Sequence, residues 1–316
     1  MKTFTLNDGK IMPAFGLGTW KSPKGQVSQA VEEALKVGYT HVDAAWIYQN
    51  EQEVGEGISK AIEAGAIARD SLFVTSKLWN TFHQPDAVEK GCKESLSALG
   101  LDYLDLFLMH WPIAFKPGTS KHNRAEDFYP LSEVPFSATF EAMAELREKG
   151  LVKSVGVSNF TVSKIEKVIA DTGVVPAVNQ VELHPYNPQN ELLDYCREKG
   201  IHVTAYSPLG SGDRPDSMKA KDEPPLLENE IVKAMADKEK ISSAQLLIAW
   251  ALDRDTIAIP KSTNTGRIAE NLAAADHSLS SEARAALDGI DIRYRYVSPK
   301  GWFFPGVTYE GEDFWS

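Results

Sequence analysis

The sequence predicts an α/β protein built as a (β/α)8 TIM barrel, and two patterns in its 316 residues carry that prediction. Eight short runs rich in Val, Ile, Leu and Phe recur along the chain. Most are separated by stretches with the 3.6-residue apolar period of an amphipathic helix, several of which end at glycine. Eight such alternations are typical of the closed barrel, with a doubly wound open sheet as the alternative.

The predicted elements follow one another in a regular order. The strands lie at residues 15–20, 39–45, 72–78, 104–110, 153–160, 176–184, 201–209 and 256–262. The clearest helices lie at residues 26–38, 86–100, 138–150, 190–200 and 243–253. A Gly-x-Gly-x-x-Gly turn after the first strand would favour the open sheet, and the sequence has none there. We therefore expect the barrel.

Four segments depart from this alternation. Residues 1–15 hold two short extended runs around an Asn-Asp-Gly turn, which predicts a β-hairpin that plugs one barrel end. Residues 116–137 and 210–229 are too long for simple connections, so we expect them to be βα loops on the catalytic face. The aromatic tail, residues 291–316, either packs on the barrel wall or lines the pocket. No composition break divides the chain, which predicts one domain over residues 1–316.

Composition excludes several classes of partner. A net charge of -11 argues against general binding to nucleic acid or to an anionic membrane, since both need clustered Lys and Arg. No apolar run approaches the roughly 18 residues of a membrane span, and the first residues do not resemble a signal peptide. Cys92 and Cys196 both lie in helix-like stretches, which favours free thiols in a reducing compartment. We expect a cytoplasmic monomer or weak dimer that acts on a small molecule.

Four polar residues stand at or just after the ends of three consecutive predicted strands. They are Asp43, Tyr48, Lys77 and His110. The carboxyl ends of barrel strands converge on one mouth, so these side chains should meet there. Asp43 and Lys77 suit a buried ion pair, and a nearby ammonium is expected to lower the pKa of Tyr48 from about 10. With His110 orienting a substrate oxygen, this set predicts proton delivery to a carbonyl oxygen.

Other polar and aromatic residues fall near the same mouth. Trp20, Trp79 and Trp111 follow their strands at similar positions, which indicates an apolar substrate wall or, alternatively, packing at the barrel rim. Lys261 stands at the end of the last strand and Arg267 near the following helix start. Cations at this place in a barrel are typical of a phosphate site.

Hydrolysis is the competing chemistry. Asp43 and Glu182 could act as paired carboxylates, although Tyr48 and Lys77 beside Asp43 argue against a glycosidase. The histidines at 110, 184 and 202 lack a convincing ligand spacing, so no metal site is expected.

Seven motifs resemble the aldo-keto reductase family, in particular its aldose and aldehyde reductase group. They follow the family's order along nearly the whole chain: GYTHVDAAWIYQNEQEVG (38–55), SKLWN (76–80), LDYLDLFLMHWP (101–112), GLVKSVGVSNF (150–160), PAVNQVELHPY (176–186), TAYSPLGS (204–211) and IPKSTNTGRIAENL (259–272). The resemblance implies reduction of aldehydes, including aldoses and some ketones, by hydride transfer from NADPH. NADH is the weaker alternative cofactor.

The resemblance also implies roles for individual residues. Tyr48 looks like the general acid, Lys77 and Asp43 its tuning pair, and His110 the group that orients the carbonyl. The cofactor contacts it implies are Thr19, Trp20, Asp43, Ser158, Asn159, Gln180, Tyr206, Ser207, Leu209, Ser211, Asp213, Lys261, Ser262, Asn264, Arg267, Glu270 and Asn271. The substrate contacts it implies are Trp20, Tyr48, Trp79, His110, Trp111 and Trp302.

The sequence departs from the family pattern at the substrate side. Asp216 stands where aldose reductases usually carry a pocket tryptophan, which predicts a more polar wall. The aromatic tail does not follow the aldose reductase ending. Lys21 and Asp213 match a pair that closes the long seventh loop over the cofactor. A non-catalytic NADP-binding regulatory or structural protein on the same barrel is the alternative function.

Overall fold

Eight parallel strands form the centre of the protein in a computed structural model, which describes residues 2–118, 122–303, 307, 314 and 315. They are β3 (Leu17–Gly18), β4 (His41–Asp43), β5 (Phe73–Leu78), β6 (Leu104–Met109), β7 (Val152–Ser158), β8 (Val178–Glu182), β9 (His202–Tyr206) and β10 (Ile257–Ala258). Each strand pairs with its neighbours in sequence, and bridges from Phe15 to Ala258 and from Gly18 to Lys261 join the first strand to the last. The predicted (β/α)8 barrel is confirmed.

Helices alternate with these strands. They are α1 (Val27–Lys36), α2 (Glu51–Glu63), α3 (Pro85–Leu99), α4 (Phe136–Glu145), α5 (Val162–Thr172), α6 (Asn190–Lys199), α7 (Glu230–Glu239), α8 (Ser243–Asp253), α9 (Thr265–Ala273) and α10 (Ser281–Asp288). The five predicted helices are α1, α3, α4, α6 and α8. In the described part of the chain, no helix combines the length and apolar character needed to cross a membrane. Cys92 in α3 and Cys196 in α6 are buried and free.

Strand residues alternate between two apolar cores. Leu106 and Leu108 of β6 face the barrel interior with Val178 and Ile257 from other strands, whereas Phe107 between them packs outward. The outer core lies between the strands and the ring of helices and is much the larger of the two. The barrel is therefore a packed structure and not a pore.

The N-terminal hairpin closes the amino end of the barrel, as predicted. β1 (Thr3–Thr5) pairs antiparallel with β2 (Ile11–Pro13) across a turn in which Gly9 has a φ of 82°. Leu6 and Met12 of this hairpin pack into the interior core. The Asn7 side chain donates to the carbonyl oxygen of Pro176, just before β8, at 3.0 Å. The opposite, carboxyl end of the barrel is therefore the open one.

Barrel closure depends on a close backbone approach at Gly18. A Cβ built on Gly18 would lie 2.6 Å from the carbonyl oxygen of Ile259, which directly follows the last strand, β10. Backbone of this kind cannot move aside as a flexible side chain can. Glycine is therefore required where the first and last strands meet, beside the mouth.

Two buried histidines make stability depend on pH. Burial lowers the pKa of His41 and His83 to about 3, and the nearby charge of Lys77 adds to the effect at His41. The unfolded chain binds protons at these groups below about pH 6.5, but the folded chain does not until about pH 3. The free energy of unfolding should thus fall as pH drops through this window, by up to about 1.4 kcal/mol per pH unit for each histidine.

This prediction is tested by urea unfolding between pH 6.5 and 4.5. His41→Asn should reduce the slope of the unfolding free energy against pH by the contribution of one histidine. This holds whatever the substitution does to stability at pH 7. Contributions from the other titrating groups are common to both proteins and cancel in the comparison. An unchanged slope would contradict a neutral His41 in the folded state.

Both long segments connect a strand to the next helix at the carboxyl end of the barrel, as predicted. Residues 110–135 follow β6 and contain the short 3-10 turn Ala125–Asp127. Residues 207–229 follow β9 and contain two such turns, Asp216–Met218 and Leu226–Glu228. The two loops and residues 291–303, which we call the C-terminal segment, frame the open end of the barrel.

Candidate active site

A cleft of about 1340 Å³ opens at the carboxyl end of the barrel. Its walls come from the ends of the strands, the loop after β9, the start of α9 and the C-terminal segment. The proton-bearing side chains of Tyr48 and His110 lie in it with four tryptophans. Converging strand ends thus bring the predicted cluster together.

Asp43 and Lys77 form an ion pair at the base of the cleft. Asp43 ends β4 and Lys77 lies near the end of β5, which places the two residues on neighbouring strands. Lys77 Nζ donates to Asp43 Oδ1 at 2.5 Å and to the carbonyl oxygen of Ala44 at 2.8 Å. The two side chains are 2% exposed or less. Gln180 donates to the second carboxylate oxygen at 2.7 Å, so the buried charges are satisfied.

Tyr48 stands beside this pair. It ends a 3-10 turn, Trp46–Tyr48, that follows β4. Asn50 helps to fix this turn by donating to the carbonyl oxygen of Thr19 at 3.0 Å. Lys77 Nζ lies 3.4 Å from the Tyr48 hydroxyl oxygen. One strand end and the turn after it therefore supply both the carboxylate and the phenol.

The expectation that Lys77 lowers the pKa of Tyr48 below its usual value is wrong. Burial raises the pKa of Tyr48 well above its usual value of about 10, and the negative charge of Asp43 adds to the rise. Burial and the Asp43 charge together outweigh the stabilisation that Lys77 gives to a phenolate from 3.4 Å. Tyr48 consequently stays protonated at neutral pH, which is the form that a proton donor needs.

His110 faces Tyr48 from the end of β6. Its ring packs edge-on against Tyr48 and Trp79, with centroids 5.8 Å and 5.4 Å away. Burial lowers the pKa of His110 well below its usual value, and the charge of Lys77 acts in the same direction. The imidazole is therefore neutral and carries one N–H that can donate to a substrate oxygen.

A chain of amides connects the ion pair to Tyr206. Gln180, which holds Asp43, lies in the middle of β8, and its backbone oxygen accepts from the Ser158 hydroxyl at 2.8 Å. Asn159 donates to the carbonyl oxygen of His110 at 2.9 Å. The Tyr206 hydroxyl donates to Asn159 Oδ1 at 2.8 Å, which holds its ring at the cleft wall. These contacts give the mouth one fixed arrangement.

Several strained backbone positions lie around the cleft. Of the eight non-glycine residues with positive φ in the described part of the chain, four line the cleft: Lys21, Asn159, Ser207 and Ser211. Such conformations cost on the order of 1 kcal/mol or more each and persist where the surroundings enforce them. Half of these residues therefore lie at one face of the barrel, which supports a functional role for it.

Cations occupy the end of the cleft nearest α9. Asp213 pairs with Lys21 and, at 2.5 Å, with Lys261. This joins the loop after β9 to the first and last strand ends, as expected for the Lys21–Asp213 pair. Arg267 lies in the first turn of α9, where unpaired backbone N–H groups and the helix dipole favour an anion. This end suits a phosphate group.

Tryptophans form an apolar wall of the cleft, away from the cations near α9. Trp302 of the C-terminal segment packs against Trp79 and Trp111, with centroids 6.0 Å and 5.5 Å away. Trp315 packs on Trp111 at 6.3 Å, and Phe314 is fully buried. The described tail residues thus fulfil both expectations, since Trp302 lines the cleft and Phe314 packs inward. Much of the tail, including residues 308–313, lies outside the described residues.

Nearly all the predicted contact residues line the cleft. Lys77 does not, because it lies beneath Tyr48, and Asn264 does not, because its side chain caps α9 by accepting from the Arg267 N–H at 2.9 Å. Asp216 points into solvent with its side chain fully exposed, so the prediction that it makes the wall more polar is wrong. The cations Arg295 and Lys300 line the cleft and were not predicted.

Glu182 does not form a catalytic carboxylate pair with Asp43. It is fully buried, and its oxygens accept from the backbone N–H groups of Tyr296 and Val297 at 2.6 and 2.7 Å. His184 contacts the same carboxylate at 2.8 Å. Glu182 therefore anchors the start of the C-terminal segment. Nowhere in the described residues do three or more His, Cys, Asp or Glu side chains group as metal ligands would.

Comparisons with known proteins agree with this geometry. A model of the Aldo/keto reductase family matches residues 13–292. An aldo/keto reductase of Synechocystis sp. is 44% identical over 315 residues, which cover 100% of this chain and 96% of that protein. Aldo-keto reductase family 1 member A1 of Rattus norvegicus is 46% identical over 296 residues, covering 93% and 90%. A Bombyx mori aldo-keto reductase in complex with NADP matches with a TM-score of 0.86 at 37% identity, covering 95% of this chain and 96% of that one. An aldose reductase from Schistosoma japonicum gives the same score and identity, covering 96% of each chain.

Proposed function

Because the chain belongs to the aldo/keto reductase family, we propose that it reduces aldehydes, including aldoses, to primary alcohols with NADPH. Members of the family are NAD(P)H-dependent oxidoreductases that act on carbonyl groups. The single observation that carries the proposal is the meeting of a protonated Tyr48, a neutral His110 and the buried Asp43–Lys77 pair in one cleft. Each group has the protonation state that carbonyl reduction requires.

The residues present fit a dinucleotide phosphate. Lys261, Arg267 and the first turn of α9 offer positive charge at one end of the cleft, and Tyr206 offers a ring face nearer the proton donor. NADP of the kind bound by the Bombyx mori protein combines a phosphate-rich end with a flat nicotinamide. When bound, NADPH supplies the hydride that reduces the carbonyl carbon. The side-chain amides of Asn159 and Gln180 lie where they can orient a carboxamide.

The protein's own residues control the proton. His110 orients the carbonyl oxygen through its N–H, and Tyr48 gives its hydroxyl proton to that oxygen, so an aldehyde, NADPH and one proton give an alcohol and NADP+. The phenolate left on Tyr48 lies 3.4 Å from Lys77 Nζ, whose ammonium stabilises it. Lys77 thus acts on the charged form that arises during the reaction. Four tryptophans give the cleft an apolar wall beside these groups.

Cofactor choice should depend on Arg267. A 2′-phosphate is a dianion that a guanidinium binds with two hydrogen bonds, and NADH lacks this group. We expect Arg267→Ala to raise the Kd for NADPH roughly 10- to 100-fold and to change the Kd for NADH little. Fluorescence titration measures both constants, with Lys10→Met at the hairpin end as the matched control. Equal weakening of the two cofactors would contradict this assignment.

The reaction itself is tested by NADPH consumption against aromatic aldehydes, short aldehydes, aldoses and ketones. We expect turnover with aldehydes, identified by the alcohol product, and slower turnover with NADH. Tight NADPH binding without oxidation by any aldehyde would overturn the proposal and favour the non-catalytic alternative.

A further inference from the structure

Buried polar atoms without a hydrogen-bond partner accompany His110. Its Nδ1 atom is buried and makes no hydrogen bond among the described residues. The same holds for Nε2 of His83 and for both the nitrogen and the oxygen of the Asn80 side-chain amide. All three residues are 7% exposed or less. Buried polar atoms are nearly always paired, either with protein or with ordered water, so these four atoms need an explanation.

The three residues lie together where β5 and β6 end. The His110 N–H donates to the carbonyl oxygen of Leu78 at 3.2 Å, and the Phe115 N–H donates to that of Asn80 at 2.9 Å. Asn80 begins a short 3-10 turn, and His83 directly follows it. Residues three apart on such a turn lie one above the other, so the Asn80 and His83 side chains are neighbours. His83 also contributes to the low pKa of His110, which requires the two rings to be close.

No protein group orients the His110 ring through Nδ1. In a functional histidine this nitrogen usually contacts a carboxylate or a backbone carbonyl, which sets the tautomer. In the part of the chain that the structure describes, burial, Lys77 and His83 lower the pKa of His110, and no carboxylate contributes. Trp79 only packs edge-on against the ring. The groups that can set its tautomer are therefore the unpartnered atoms of Asn80 and His83.

We propose that Asn80 and His83 hold a buried water molecule that donates a hydrogen bond to His110 Nδ1 and so keeps the ring proton on Nε2. This rests on the proposed reductase function, in which that N–H orients the carbonyl oxygen. A buried water needs roughly two to four polar partners, which these side chains supply. The Asn80 amide donates to the water oxygen, and the water donates one proton to His110 Nδ1 and the other to His83 Nε2. Asn80 and His83 are positioning residues, since they act through His110.

The tautomer decides whether His110 can orient a substrate. A neutral imidazole carries a single N–H, and its other nitrogen is an acceptor. A proton on Nδ1 would leave Nε2 as an acceptor, which cannot bind a carbonyl oxygen because that oxygen is an acceptor too. A water that donates to Nδ1 is compatible only with the Nε2–H form when His110 is neutral.

A crystal structure of the full chain with NADP+, at a resolution that shows ordered water, tests the bridge directly. We expect a water within about 3.2 Å of His110 Nδ1 and of the Asn80 side-chain amide. A dry site would overturn the proposal, and so would a direct hydrogen bond between Nδ1 and a protein group.

Variants separate the tautomer from packing. Asn80→Leu has nearly the same volume but cannot bind the water, so we expect kcat/KM to fall roughly 10- to 100-fold. The Kd for NADPH should stay within about threefold, because the cofactor does not contact this side chain in the proposed arrangement. Asn80→Ser, whose hydroxyl can still hold the water, should recover most of the lost activity. Ser154→Ala is the matched control, since it removes a buried, unpartnered hydroxyl from β7 and should leave kcat/KM unchanged.

Nitrogen NMR of the histidine rings reads the tautomer without any turnover. The His110 signals, assigned by their loss in His110→Gln, should show a proton on Nε2 in the unmodified protein and in Asn80→Ser, and a proton partly on Nδ1 in Asn80→Leu. If Asn80→Leu does not fold, His83→Leu removes the other partner of the water and should give the same result. A fall in kcat/KM with unchanged His110 signals would show a packing role and overturn the proposal, as would unchanged activity in Asn80→Leu. If the unmodified protein reduced no aldehyde, the reductase function would fail, whereas the water and the tautomer would still be visible.

Discussion

Tyr48→Phe is expected to lower kcat/KM for aldehyde reduction roughly 10²- to 10⁴-fold, the usual contribution of a positioned general acid. The phenyl ring keeps the contacts that Tyr48 makes with His110 and Trp20, whereas the proton is lost. Neither of the two titratable neighbours can replace it, because Lys77 is bound to Asp43 and His110 is held neutral by burial. Steady-state NADPH oxidation measures the effect.

Two controls separate lost chemistry from lost structure. The free energy of unfolding should change by about 1 kcal/mol or less, since only one hydroxyl is removed. The Kd for NADPH should stay within about threefold of its original value, because the cations that suit its phosphates lie at the other end of the cleft. Aldehyde turnover at the normal rate by a folded Tyr48→Phe protein would disprove proton donation by Tyr48.

The barrel could be predicted because its pattern is repeated and local. Each buried strand needs a short apolar run, which recurs eight times, and each covering helix needs a 3.6-residue period, which is clear in five of the intervening stretches. The ends of individual elements followed less directly from the sequence pattern. α4 ends at Glu145, whereas its apolar period extends almost to Gly150, because residues 146–150 form turns before β7.

The proton-bearing cluster could be predicted for a topological reason. Once the strands are parallel and consecutive, Asp43, Lys77 and His110 must emerge at the same end of neighbouring strands. Tyr48 follows Asp43 by one short turn and cannot lie far away. Their meeting thus depends on strand order alone, which the sequence pattern specifies.

Properties that depend on three-dimensional surroundings could not be predicted in this way. The pKa of Tyr48 rises because burial and Asp43 outweigh Lys77, a balance that sequence proximity does not reveal. Asp216 points into solvent because a 3-10 turn directs it outward. Arg295 belongs to an irregular segment fixed by Glu182, so no periodic signal marked it as part of the cleft.

Lys77→Met should have the largest effect on stability of the substitutions considered. It leaves the Asp43 carboxylate buried with Gln180 as its remaining side-chain donor. Removing one partner of a buried ion pair typically costs about 3–5 kcal/mol, because the other charge is left uncompensated. We expect a loss of this size in urea unfolding, together with a roughly 100-fold or greater fall in kcat/KM.

The double variant Asp43→Asn/Lys77→Met separates the two roles of the pair. This variant leaves no uncompensated charge buried, so it should recover much of the stability lost by Lys77→Met. Gln180 can still donate to the new amide oxygen. Activity should not recover, because no ammonium remains to stabilise the phenolate that forms on Tyr48. A coupling energy near zero in the double-mutant cycle would show that Asp43 and Lys77 do not depend on each other. Recovery of stability and activity together would mean that Lys77 serves only to neutralise Asp43, and that the 3.4 Å contact with Tyr48 has no part in catalysis.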